Sequence, residues 1–260
     1  MAITAIILAA GRGSRLHPYT ASCPKCLTEL GDRTLLNHQI GTLRTCGITN
    51  IVVVTGYLGE MLESPGWECV ENPLWAETNM VESLFSAEAK FASDMIVAYS
   101  DIVYEPRVLR ALLDSEADIS VVVDRQWHTL WEQRFADPLS DAETLRIDRN
   151  GDILEIGQRP ESYEQIEAQY IGLMRFKGHG VAALREGYAA LRDADLSGRP
   201  AEQAYMTDLL SKLISANHAL RAVPVDGGWL EVDTVEDYEL YAAKLADGTI
   251  SDFFDITRQN

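Results

Sequence analysis

Several groups of residues in this 260-residue chain have the types and spacing that chemistry on phosphate requires. The first is Gly11-Arg12-Gly13-Ser14-Arg15, which follows the apolar run 3–8 and is followed by Pro24-Lys25. An apolar strand ending in a glycine turn presents backbone N–H groups to an anion. Gly11 and Gly13 let the main chain approach without a Cβ in the way. Arg12, Arg15 and Lys25 supply cations for several phosphate charges. The second group is a pair of carboxylates, Asp101 and Asp233, each just beyond an apolar segment (95–99 and 229–232). Mg²⁺ favours one or two carboxylates together with phosphate oxygens and water, so this pair is a candidate metal site, with Glu231 as an alternative ligand. Asp233 has a competing role as N-cap of the helix that follows, and Thr234 is the other candidate for that cap.

Two further groups bear on what is recognised. Asn79 and Ser83 lie four apart, on one helical face, and an Asn amide offers a pyrimidine both a donor and an acceptor. Thr78 or Asn79 serves equally well as a helix N-cap. In the stretch 124–134, Arg125 and Arg134 suit a phosphate or phosphonate by bidentate hydrogen bonds. Trp127 and Trp131, again four apart, form an aromatic wall suited to an ammonium by cation–π attraction. The competing reading packs both tryptophans into a core. Glu143 and Tyr170, with Glu167 and Gln169, extend the same cleft.

The chain carries a formal net charge of −18, which makes the basic loop a local exception. That charge excludes a general nucleic-acid or anionic-membrane surface. No apolar stretch reaches the ~20 residues of a membrane span. The run 3–8 lacks the basic flank of a signal peptide, so a cytoplasmic protein is expected. Cys23-Pro24-Lys25-Cys26 has redox-motif spacing, and Cys46 and Cys69 are too far apart for a second zinc pair. Four free thiols in a reducing compartment are expected.

The elements that must position these groups alternate along the first half. Strands are expected at 3–8, 51–55, 67–71, 95–99 and 119–123, and helices at 35–46, 81–91 and 105–115. The second half adds a hairpin (143–148 and 153–156), strands at 170–176, 220–225 and 229–232, and helices at 181–191, 205–216 and 235–244. The tail from Asp247 ends loosely or packs on a neighbour. This alternation predicts an α/β, Rossmann-like, mostly parallel mixed sheet with helices on both faces. One domain is expected over 1–260, with an acceptor-side β/α insertion at about 124–180. Ligands of such sheets bind beyond the carboxyl ends of the strands, where 11–15, Gly56-Tyr57 and Asp101 should gather.

The glycine loop is neither a Walker loop, lacking Gly-Lys-Ser/Thr, nor a dinucleotide fingerprint, since Leu16 stands where the third glycine belongs. The full string Leu8-x-x-Gly11-x-Gly13-x-Arg15-Leu16-x-Pro18-x-Thr20-x-x-x-Pro24-Lys25 resembles the signature of the nucleotidyltransferase superfamily, which holds sugar-phosphate nucleotidyltransferases and phosphocholine cytidylyltransferases. The resemblance implies that Leu8, Ala10, Gly11, Gly13, Ser14 and Arg15 bind a nucleoside triphosphate. It makes Lys25 and Arg15 catalytic and Asp101 and Asp233 ligands of Mg²⁺. Sugar-specific members usually carry a Gly/Ala-rich turn where this chain has Asn72 to Leu84. That stretch is similar instead to phosphocholine and phosphonate-pathway cytidylyltransferases. CTP and a small phosphate- or phosphonate-bearing acceptor are therefore the expected substrates, with Asn79 and Ser83 at the nucleotide and Arg125, Trp127, Trp131, Arg134, Glu143 and Tyr170 at the acceptor. A sugar-1-phosphate nucleotidyltransferase using UTP or dTTP is the alternative, partly resembled by Glu167-Ala168-Gln169-Tyr170-Ile171-Gly172. A non-catalytic nucleotide-binding regulator is the other; it has no need of Lys25, Asp101 and Asp233 together. A homo-oligomer is compatible with all three.

Overall fold

Strands made of unbroken apolar runs are buried on both faces, and this is how the sheet begins. In the computed structural model, which describes residues 2–192, 196 and 198–256, every residue of β1 (Thr4–Ala9) is buried. A short hairpin, β2 (Glu29–Leu30) and β3 (Arg33–Thr34), leads into α1 (Leu35–Thr45), capped by the Thr34 side chain. There follow β4 (Asn50–Thr55), β5 (Glu68–Glu71), α2 (Met80–Ser86), β6 (Asp94–Tyr99), β7 (Ile102–Tyr104), α3 (Pro106–Asp114) and β8 (Ile119–Asp124). The second half comprises α4 (Trp127–Arg134), β9 (Leu145–Ile147), β10 (Ile153–Ile156), β11 (Gln169–Lys177), α5 (His179–Leu191), α6 (Met206–Ser215), β12 (Arg221–Val225), β13 (Trp229–Glu231) and α7 (Val235–Asp247).

Seven strands form the central sheet in the order β12-β8-β11-β6-β1-β4-β5. All neighbours run parallel except β11, which is antiparallel to both β6 and β8. The mostly parallel, two-faced sheet matches the expected fold class. One apolar cluster fills the face covered by α1, α3 and α7, around Leu36, Leu109 and Tyr241. A second fills the opposite face under α2, α5 and α6, around Leu84, Leu184 and Leu209. The hairpin β9–β10 stands outside this sheet, whereas β11, which closes the segment 124–180, lies in its middle.

Three differences from the expected elements matter. The helix expected over 81–91 stops at Ser86, and Glu88–Lys90 makes a tighter turn that brings Phe91 edge-on to Phe85, itself stacked on Tyr188. β7 was not expected, because three residues carry too little periodicity to be recognised. It pairs antiparallel with β13, and Val232 N donates to Asp101 O at 2.9 Å. The tail is not loose: Thr249–Asp252 forms a turn, Phe254 is fully buried, and Gly228 N donates to Phe253 O. Residues 257–260 of that tail lie outside the described residues. Among the described residues, no helix is long and apolar enough to cross a membrane.

Candidate active site

The end of β1 turns through Gly13, whose backbone is left-handed (φ 66°, ψ 49°), into the single turn Ser14–Leu16. A Cβ on Gly13 would lie 2.7 Å from Lys25 Cβ, so the glycine is what allows the lysine stem to lie across the loop. Gly11 differs. A Cβ there meets nothing within 4 Å, because its Cα faces the open cleft. Arg12 stacks over Tyr57, 5.3 Å from the ring centroid, while Arg15 points into the cleft.

Lys25 starts the turn Lys25–Leu27 and is almost wholly buried, its side chain 8% exposed. Its Nζ donates to Asp233 Oδ1 at 2.6 Å and to Asp101 Oδ2 at 2.8 Å. Burial alone lowers the pKa of an ammonium, but the two carboxylates outweigh it and hold this one above its ordinary value. Arg15 reaches the other oxygen of Asp233 at 2.7 Å. Asp233 is free to do this because Thr234 takes the N-cap of α7. The Thr234 hydroxyl accepts from Asp237 N, and the Asp237 carboxylate accepts from Thr234 N in return. The β7–β13 pair is the reason that two aspartates 132 positions apart face one lysine.

Asp101 Oδ1 is buried without a hydrogen-bond partner. Two hard carboxylates, one with an unused buried oxygen, fit Mg²⁺. Among the described residues, no group of three or more His, Cys, Asp or Glu has metal-holding geometry, so phosphate oxygens and water have to complete such a shell. Cys26 is buried in the same turn and its thiol is pushed up to about 12 by burial, so it stays protonated.

Two cavities meet at this cluster. The first, about 290 Å³, is lined by Leu8, Ala10, Gly11, Gly13, Ser14 and Arg15 on one side and by Thr78, Asn79 and Ser83 on the other. Asn79 is the N-cap of α2, its Oδ1 accepting from Met80 N at 2.8 Å. The Ser83 hydroxyl donates to Asn79 O and accepts from Asn72 Nδ2, so it is already engaged within the protein. The second cavity, about 420 Å³, shares Arg15, Asp101 and Asp233 and adds Trp131, Asp141, Glu143, Tyr170 and Glu231. Burial, then Asp141, pushes the Glu143 carboxyl up to about 7. Burial also holds Glu231 above the usual carboxylate range, against the pull of Arg134.

Not every residue expected at the acceptor reaches this second cavity. Arg125 sits outside it in an exposed bidentate pair with Asp226, at 2.8 and 3.0 Å. Trp127 is buried behind Trp131 and touches His128 and Tyr163. The Arg134 side chain is 1% exposed, hydrogen-bonded through Nε and Nη2 to Asp237 and ion-paired through Nη1 with Glu231 at 2.8 Å. Its guanidinium is consumed by internal carboxylates and reaches no ligand without breaking a buried pair. Trp131, Glu143 and Tyr170 do line the cavity. Sequence reading missed Asp141, which lies in an irregular stretch where no periodicity marks its direction. It also missed Tyr99, whose place at the carboxyl end of β6 was the available signal.

A glycine turn with a buried lysine beyond the carboxyl end of a central parallel strand suits a nucleotidyltransferase. The chain belongs to that class: residues 5–170 match the MobA-like NTP transferase domain, and the protein is a member of this family. Among individual proteins, it is 37% identical over 254 residues to CTP:phosphoglutamine cytidylyltransferase of Campylobacter jejuni, covering 93% of this chain and 100% of that one. It is 29% identical to CMP-5'-(3-aminopropyl)phosphonate synthase of Streptomyces rubellomurinus, over 90% of this chain and 37% of that one. The fold is shared with CTP:phosphocholine cytidylyltransferase of Streptococcus pneumoniae, with TM-score 0.74 and 21% identity over 94% of this chain and 100% of that one.

Proposed function

We propose that this protein is a metal-dependent cytidylyltransferase that moves CMP from CTP to a small phosphate- or phosphonate-bearing acceptor and releases pyrophosphate. The observation that carries the reading is Lys25, held between Asp101 and Asp233 across the Gly13 turn, where the two cavities meet. The relatives that act on CTP support the choice of nucleotide.

In this reading the Gly11–Arg15 backbone and Ser14 hold the triphosphate in the first cavity. Asn79 lies at the nucleoside end. The acceptor enters the second cavity with its phosphate toward Arg15, and its anionic oxygen attacks the α-phosphorus in line with the departing pyrophosphate. No side chain has to remove a proton, because a phosphate or phosphonate oxygen is already ionised near neutral pH. Lys25 and Arg15 neutralise the charge that builds on the transferring phosphorus and on the leaving pyrophosphate. Asp101 and Asp233 would hold Mg²⁺, which when bound supplies Lewis-acid neutralisation of phosphate charge. Arg134 fixes Glu231 and Asp237, and with them the end of β13 that carries Asp233. The rest is positioning.

The test is pyrophosphate release across CTP, UTP, ATP and dTTP, each against phosphocholine, 2-aminoethylphosphonate, 2-hydroxyethylphosphonate, phosphoglutamine and glucose 1-phosphate. Turnover with CTP and one of the first four acceptors is expected. Turnover confined to UTP or dTTP with glucose 1-phosphate would overturn the cytidylyl reading, and nucleotide binding without turnover in any pairing would leave a regulator.

A further inference from the structure

We infer that the second cavity takes an acceptor carrying a primary ammonium, hydrogen-bonded by Asp141 and Glu143, in preference to one carrying a quaternary ammonium. The inference rests on the acceptor reading above and concerns the opposite end of the same small molecule.

The charges of the cavity are unevenly paired. Arg15 and Lys25 are committed to Asp233 and Asp101, and Arg134 to Glu231 and Asp237. Asp141 and Glu143 have no ion-pair partner among the described residues. The Asp141 carboxylate accepts one hydrogen bond, from Trp131 Nε1 at 3.1 Å. Glu143 is fixed by its backbone alone, whose N–H and C=O pair with the Gln169 amide, and its carboxylate faces the cavity. Asp141 stays open to solvent, but a half-buried Glu143 carboxylate without a counter-ion is costly unless the ligand brings one. The elevated pKa of Glu143 reports the same imbalance.

The tryptophans of the lining are closed to the other way of holding a cation. A trimethylammonium has no N–H to donate and is held best against open ring faces. Trp131 has none: the Arg134 guanidinium lies 5.1 Å from its centroid, Trp127 meets it at 5.8 Å and Trp229 at 6.1 Å, and the residue is 4% exposed. Trp229 is 2% exposed. Tyr99 and Tyr170 pack edge to face on each other and stay half-buried, and the exposed ring of Tyr205 has Arg199 over one face at 4.5 Å. The tryptophan wall expected for an ammonium is therefore spent on packing, and the negative charge the cavity offers a cation sits on carboxylate oxygens. A primary ammonium, with three N–H donors, satisfies both carboxylates.

The experiment compares kcat/KM with saturating CTP for matched pairs, phosphoethanolamine against phosphocholine and 2-aminoethylphosphonate against its N-trimethyl derivative, with phosphoglutamine as a further primary amine. A preference of at least about tenfold for the primary amines is expected. Glu143→Gln and Asp141→Asn are each expected to weaken apparent binding of the amines about 10- to 100-fold, read as a rise in their KM. Hydroxyethylphosphonate, which has no ammonium, is the comparison acceptor, and a rise in its KM equal to that for the amines would overturn the contact. A profile flat across methylation, or a preference for phosphocholine, overturns this inference while leaving the cytidylyl reading standing. Turnover with glucose 1-phosphate alone overturns both. The methylation comparison uses the unaltered protein, so it decides the matter even where a variant fails to fold.

Discussion

The two cavities that meet at Lys25 are built in opposite ways. The first is lined along one side by a contiguous run of chain, from Leu8 to Arg15, and its chemistry is largely that of backbone N–H groups and two cations. The second is assembled from segments far apart in sequence, with Tyr99, Trp131, Glu143, Tyr170 and Glu231 each from a different one. The first balances its charges internally through Lys25, Arg15, Asp101 and Asp233. The second leaves Asp141 and Glu143 without counter-ions among the described residues. A site for a ligand common to a family can be written in one short motif, whereas a site for a variable ligand has to be composed from whatever the fold brings near.

The comparison is broken most severely at the shared junction. Lys25→Ala and Asp101→Asn are each expected to reduce kcat about 10²–10³-fold with circular dichroism unchanged. Near-normal rates in both would separate the junction from the chemistry. The next effect is on stability and belongs to the acceptor side. Asp237→Ala leaves the Arg134 guanidinium buried without its bidentate partner and removes half of the α7 capping box. A loss of about 3–5 kcal/mol in denaturant unfolding is expected, and an unfolding midpoint equal to that of the parent would mean that the pair is not structural.

A pH series sharpens the contrast. Glu143 keeps its proton until about pH 7, with Asp141 and Asp208 as the charged groups acting on it and Tyr99 and Tyr170 beside it. Below that pH it is neutral and attracts an ammonium less. The ratio of two Michaelis constants, that for aminoethylphosphonate over that for hydroxyethylphosphonate, is expected to rise roughly tenfold from pH 8 to 6. Glu143→Gln should flatten the ratio; a ratio constant in the parent protein would remove Glu143 from the acceptor site. The ligand-free protein carries the linked effect on folding. Its folded state holds this proton from the ordinary 4.5 up to about 7, so the contribution of Glu143 to stability is lost as pH rises through that window. The smallest effect is expected at Arg125, whose exposed pair with Asp226 lies outside both cavities. Arg125→Ala should keep turnover and acceptor KM within about twofold, and a larger change in KM would return that arginine to the acceptor.

The first cavity was more legible than the second, and the reasons are local. The strand ending at Ala9, the positive φ of Gly13 and the placing of Lys25 follow from residues within about twenty positions of one another, where pattern and turn chemistry act. Ser83 was visible but its use was not, because the hydroxyl is engaged by Asn72, eleven residues away. Trp127 and Trp131, four apart, read as one aromatic wall, and α4 carries both with Arg134 at its last residue. Helical spacing could not say that Arg134 would turn inward to Glu231 and Asp237, about a hundred residues on.

The sequence by itself determined the class of sheet, the glycine turn after β1 and the lysine and two aspartates worth watching, since each depends on short-range periodicity, conformational freedom or residue chemistry. Only the tertiary structure decided that Asp101 and Asp233 share Lys25, that the arginines of 124–134 pair with carboxylates of the protein, and that Asp141 and Glu143 have no ion pair among the described residues. Those outcomes depend on which charges become neighbours when β7 meets β13 and α4 packs on α7, and partnerships between distant segments leave no period in the chain.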